Sequence, residues 1–170
     1  TGRLHVTWCY RETGATWASN HDLHYAFSDD GGAVWHNNAG ERIADLPNGD
    51  AIELADPGIV VREIPVFSWL MNQTAMTLDA TNQPHVVTYH LATPERPKGK
   101  LKHGPPPEIG RKLSLFHYWR TPDGAWHSSG PVTPLTTRPG LLVDRQGNLV
   151  VYYAKRGRLQ VHIAVGADGW

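Results

Sequence analysis

Three stretches of this chain align with one another without gaps, and that repeat limits the fold more than any other feature. They are Gly2-Arg3-Leu4-His5-Val6-Thr7-Trp8, Asn82-Gln83-Pro84-His85-Val86-Val87-Thr88 and Gly147-Asn148-Leu149-Val150-Val151-Tyr152-Tyr153. The second and third each follow an apolar run ending in Asp, Met76-Thr77-Leu78-Asp79 and Leu141-Leu142-Val143-Asp144. Each unit then runs on to another strand and a Gly/Trp turn. In the first unit this turn is Ser28-Asp29-Asp30-Gly31-Gly32-Ala33-Val34-Trp35, which fits S-x-D-x-G-x-x-W, the Asp box. Glycine permits the positive φ of a tight turn, Asp and Ser side chains bond nearby backbone N–H groups, and the Trp packs beneath. Upstream, Leu23, Tyr25 and Phe27 alternate with His24 and Ala26, the period of a half-buried strand. Thr121-Pro122-Asp123-Gly124-Ala125-Trp126 and Val165-Gly166-Ala167-Asp168-Gly169-Trp170 are worn versions of the same turn.

A sheet unit repeated at the spacing of Trp126 and Trp170 is close to one four-stranded propeller blade. The expected fold is therefore all-β. Blade one covers residues 1–70 and lacks its innermost strand, blade two covers 71–135, and blade three covers 136–170 and stops at its turn. Closed propellers have about four to eight blades, so the chain reads as about three blades of a seven-bladed propeller, completed by further blades or by other copies. The alternative is a small two-sheet sandwich. Two stretches break the period. Residues 37–70 read as an outer strand and a connection between blades. Residues 92–112 are a Pro-rich insertion carrying Arg96, Lys98, Lys100, Lys102, Arg111 and Lys112 against Glu95 and Glu108. That insertion is either a solvated loop or a positively charged flap over a polyanion.

Composition narrows the function. Equal numbers of basic and acidic residues, 16 each, argue against a general nucleic-acid binder. No apolar run approaches a membrane span. Cys9 is the single cysteine, so no internal disulfide and no Cys-based metal site is expected. The ten His form no H-x-x-x-H or comparable pairing on one strand, so neither metal nor cofactor is expected.

Arg11-Glu12-Thr13, Asn20-His21-Asp22-Leu23, the Asp box, Asn72-Gln73-Thr74, Pro84-His85-Val86-Val87 and His117-Tyr118-Trp119-Arg120 together resemble the BNR-4 repeat family. Characterised relatives are seven-bladed propellers acting on acidic polysaccharides, including ulvan lyases and enzymes that cleave rhamnose–glucuronate linkages. The resemblance implies an acidic polysaccharide or oligosaccharide partner, no nucleic acid or membrane, and a secreted or periplasmic location. No signal peptide is seen in this stretch.

Uronate lyases work by β-elimination. A base removes the C5 proton, an acid protonates the leaving oxygen, and a cation offsets the carboxylate charge. The resemblance places His21 and Tyr89 in the proton-transfer roles, with Tyr118 a rival for the Tyr. Arg120 or Arg11 is expected to neutralise the carboxylate, because a guanidinium holds it bidentately. Asn20 and His85 are supporting polar groups, and Lys98 and Lys100 are substrate contacts on the flap. The plainer readings are a capping role for His21, core roles for His85 and Tyr89, and an ion pair for Arg11-Glu12. His117 and Tyr118 alternate on their strand, so one of them at most faces the cleft. Two other functions stay open, a glycoside hydrolase and a non-catalytic glycan-binding propeller. A hydrolase needs two carboxylates at the bond, and the turn itself engages Asp29 and Asp30. Arg62-Glu63-Ile64-Pro65 imitates the sialidase Arg-Ile-Pro signature with one residue too many.

Overall fold

The computed structural model describes residues 2–135 and 137–164. Three antiparallel sheets account for the strands, as the repeat implies. The first holds β1 (Leu4–Arg11), β2 (Asn20–Ser28), β3 (Val34–His36) and β4 (Arg42–Asp45), in that order, with β5 (Val60–Arg62) also on β2. The second holds β6 (Ala75–Leu78), β7 (Pro84–His90), β8 (Ser114–Arg120), β9 (Trp126–Ser128) and β10 (Thr133–Pro134). The third holds β11 (Gly140–Val143), β12 (Leu149–Lys155) and β13 (Arg158–Ala164). The turn expected over Val165–Trp170 lies outside the described residues.

The repeat is visible atom by atom. Asp79 Oδ1 accepts from the backbone N–H groups of Thr81 and Gln83 at 2.8 and 2.9 Å. Asp144 Oδ1 accepts from Gln146 and Asn148 at 2.9 and 2.8 Å. Both loops thus close the same way, and both place a left-handed residue at the equivalent position, Asn82 (φ 59°) and Gly147 (φ 85°). Asn is among the few side chains that tolerate this region. In the Asp box, Asp30 accepts from Ala33 and Val34 at 3.1 and 2.9 Å, and Trp35 Nε1 donates to the Gly32 carbonyl at 2.9 Å. Asp29 does not serve the turn: its carboxylate takes Arg3 at 2.8 Å.

The connection expected between blades one and two contains a strand. The chain leaves β4, turns through residues 46–59, and returns as β5 beside the start of β2, pairing Leu23 with Arg62. In the second sheet β10 does the same beside the start of β8, pairing Leu115 with Thr133. Each of these two sheets thus places two short pieces along one long strand, β3 and β5 on β2 and β9 and β10 on β8.

The sheets stack face to face. Leu23, Ile64 and Leu70 meet Val86, Phe116 and Tyr118 between the first and second. Val87, Tyr89 and Leu115 meet Tyr153, with Leu141 and Val151, between the second and third. The innermost strands β6 and β11 are neighbours, which fixes a radial arrangement. On the far face of the third sheet Leu159, Val161 and Ile163 are exposed.

Candidate active site

One end of the strands carries the Asp-box turns. At the other end, residues from the first two sheets and from the segments leading into the second and third line a cavity of about 550 Å³. Arg11 closes β1, Tyr89 comes from the end of β7, and Asn72 and Arg138 lie just before β6 and β11. Trp17, from a short 3-10 turn, and His103, from the 92–112 insertion, complete the wall. The insertion is tied down here. The His103 carbonyl accepts from the Trp17 backbone N–H at 3.1 Å, and Gly104 lies so close to Trp17 that a Cβ would meet Nε1 at 3.1 Å. Trp17 in turn packs edge-on against Tyr89, with ring centres 6.1 Å apart.

The cavity is cationic. Arg11 and Arg138 line it, and no carboxylate does so among the described residues. Arg11 Nε donates to Asn20 Oδ1 at 2.7 Å, and Asn20, fully buried, donates from Nδ2 to the Leu70 carbonyl at 2.7 Å. The guanidinium is held in place by a neutral amide, so its charge is left for a ligand. The ion pair expected between Arg11 and Glu12 does not form; Glu12 pairs with His21 instead. Burial pushes the Tyr89 phenol above its ordinary value, and the positive charge of Arg138 opposes that rise.

His21 lies outside this cavity. It follows Asn20 and takes the other face of β2, stacked on Tyr10 at 6.4 Å. Its Nδ1 is 2.9 Å from Asp22 Oδ2 and its Nε2 is 3.1 Å from Glu12 Oε1. Asp22 has a left-handed backbone (φ 54°), and its Oδ1 accepts from the Ile64 N–H at 2.8 Å. This kink joins the start of β2 to the segment that follows β5.

The remaining expected residues fall elsewhere. Tyr118 lies on the face of the second sheet turned toward the first, opposite to Tyr89. Arg120 follows Trp119, the partner of His85, and so sits at the other end of β7 from Tyr89. At the usual strand rise that is about 17 Å away. There it donates to Asn38 Oδ1 at 2.9 Å and Gln83 Oε1 at 2.7 Å, joining the Asp-box end of the two sheets. The expected convergence of His21, a Tyr and Arg120 on one depression is therefore not what the strands produce; Arg11 and Tyr89 are the pair brought together.

His85 is buried, 2.9 Å from His117 and 3.5 Å from Asp79. His5, at the equivalent position, meets Tyr25 Oη at 2.8 Å in the same diagonal way across its own sheet. Lys98 and Lys100 are exposed on the insertion. Four wall residues escape a reading of the sequence as strands: Trp17, Asn72, His103 and Arg138. The repeat held the signal for two of them, since Asn72 and Arg138 both precede an innermost strand.

Radially stacked antiparallel sheets with Asp-box turns make this a partial β-propeller. The chain belongs to the BNR-4 family of BNR repeat-containing proteins, whose sequence model matches residues 1–133. No curated protein matches it. Among solved structures it is similar to an ulvan lyase, from a new family of polysaccharide lyase, bound to a unit of glucuronate and sulfated rhamnose. That match has a TM-score of 0.65 at 19% identity, over 97% of this chain and 37% of the other. It is also similar to a second structure of an ulvan lyase of a new polysaccharide lyase family, with a TM-score of 0.60 at 16% identity, over 96% of this chain and 40% of the other. The chain thus spans well under half the length of either structure.

Proposed function

We propose that this chain builds part of a propeller enzyme that cleaves a uronate-containing polysaccharide by β-elimination, with chemistry in the cavity around Tyr89. The observation that carries this is the charge of the wall: two guanidiniums flank a phenol, with no carboxylate among the described wall residues. A glycosidase of the usual kind needs two carboxyl groups across the bond. An elimination needs cations instead, because negative charge builds on the uronate carboxylate as C5 loses its proton. The similarity to ulvan lyases supports the same reading at the level of fold.

In this mechanism Arg11 and Arg138 bind the carboxylate, and Trp17 gives the sugar ring a flat apolar wall. Tyr89, as phenolate, takes the C5 proton. The C–H electron pair becomes the C4=C5 double bond, the C4–O bond breaks, and Tyr89 returns the proton to the leaving oxygen. Burial disfavours the phenolate that starts the cycle, and the positive charge of Arg138 works against that effect. Lys98 and Lys100 extend the positive surface along the insertion, where a polyanionic chain approaches. Asn20 orients Arg11. His21, hydrogen-bonded to Asp22 and close to Glu12, is a positioning residue that fixes the start of β2.

The test is to incubate the protein with glucuronate-containing polysaccharides and follow ultraviolet absorbance of the unsaturated uronate that elimination creates. A rise supports the lyase. New reducing ends without it indicate a hydrolase, and binding without either indicates a glycan-binding module.

A further inference from the structure

A second cavity, of about 330 Å³, lies between the first and second sheets and plays no part in the mechanism above. Its wall includes Arg62, Glu63, Ser68, His90, Phe116 and Tyr118. His90 and Tyr118 are almost fully buried, yet both form part of the wall. The hydrogen-bond directions between them are forced. His90 Nδ1 is 2.7 Å from the Leu91 carbonyl, which only accepts, so Nδ1 carries the proton. Nε2 is then the acceptor, and the Tyr118 hydroxyl, 2.7 Å away, donates to it. The Tyr118 proton is thereby used up, and its oxygen is left as an acceptor at the cavity wall. Phe116 lies flat against the His90 ring at 4.0 Å and supplies an apolar surface.

Charge separates this cavity from the first. Arg62 and Glu63 line it together, one positive and one negative, and neither has a salt-bridge partner among the described residues. A guanidinium and a carboxylate lining one cavity offer donors and acceptors of opposite charge. Pairs of this kind match adjacent hydroxyls, and an aromatic wall matches the C–H face of a pyranose. The volume suits one sugar residue rather than a chain.

We propose that this cavity is a separate binding site for a single neutral pyranose residue, recognised through its hydroxyls by Arg62, Glu63 and the Tyr118 oxygen. The site stands independently of the elimination chemistry, since it shares no wall residue with the cavity around Tyr89.

The experiment is saturation-transfer NMR on the protein with methyl rhamnoside as the neutral probe and methyl glucuronoside as the acidic one. Methyl rhamnoside is expected to bind. Arg62 is exposed, and Arg62→Ala is expected to weaken binding at least about tenfold, the usual worth of a hydrogen bond to a charged group. Tyr118→Phe is expected to weaken it too, whereas Arg11→Ala leaves it unchanged. The proposal is overturned if methyl rhamnoside gives no saturation transfer, if its binding survives Arg62→Ala, or if Arg11→Ala abolishes it. Binding of the acidic probe in preference to the neutral one, lost in Arg62→Ala, also overturns it. Failure of the elimination assay leaves these outcomes unchanged, so the two readings fail separately.

Discussion

Arg11 and Asn20 face each other as the last residue of one strand and the first of the next, joined by a bond of 2.7 Å from guanidinium to amide oxygen. The amide is completely buried and bonded a second time, to the Leu70 carbonyl. Asn20→Ala breaks both bonds and leaves the Leu70 carbonyl without that donor. The expected cost is about 1–3 kcal/mol in unfolding free energy. Arg11 loses its orientation as well, so KM for a uronate glycan is expected to rise more than kcat falls. Thermal denaturation and steady-state kinetics read the two effects separately.

Acid is expected to destabilise the fold in two windows. Burial pushes His5 and His90 down to about 4 and His117 down to about 3, from an ordinary value of 6.5. These rings stay neutral when folded but take a proton when unfolded, so their contribution is complete above 6.5 and is lost as the pH falls from 6.5 toward 4. The carboxylates of Asp30 and Asp144 are held below the ordinary 3.8, chiefly by the Val34 N–H and by Asn148. Their contribution is present above 3.8 and is lost below it. Melting temperature should fall first between pH 6.5 and 4 and again below 3.8. In Asp30→Asn the second decline should be smaller than in the unmodified protein.

Trp17 holds the basic insertion over the cavity, with its ring against Gly104, Trp69 and Tyr89. Trp17→Ala should free that segment. Trypsin cleavage after Lys98, Lys100 or Lys102 is expected to speed up at least severalfold, because proteolysis follows local opening. Cleavage elsewhere should stay at its original rate.

Tyr118→Phe keeps the ring but removes the hydroxyl that donates to His90 Nε2, inside a nearly closed environment. A loss of about 1–3 kcal/mol is expected in denaturant unfolding. Turnover of a uronate glycan should change little, because Tyr118 faces away from the cavity that holds Tyr89.

Strands and Asp-box turns were legible because each depends on local rules: alternation, Gly at positive φ, Asp capping a turn. The candidate site was legible only in part. Arg11 and Tyr89 line one cavity, with Asn20 behind Arg11, but His21 and Arg120 do not join them. Strand alternation puts His21 on the face opposite to Asn20, and strand direction carries Arg120 to the Asp-box end. Both facts follow from pairing register, which a lone motif does not contain. Arg138 reaches the cavity through a contact between sheets, and His103 reaches it from an irregular insertion, where no period operates.

The proposed proton transfer takes place at Tyr89, between Arg11 and Arg138. The most direct measurement is the initial rate of unsaturated-uronate formation in Tyr89→Phe beside Arg120→Ala, each checked for folding by melting temperature. Tyr89→Phe should lower the rate by about a hundredfold or more, with Arg120→Ala within a fewfold of the unmodified protein. A Tyr89→Phe protein of undiminished rate, or an Arg120→Ala protein that is folded but inactive, contradicts the account.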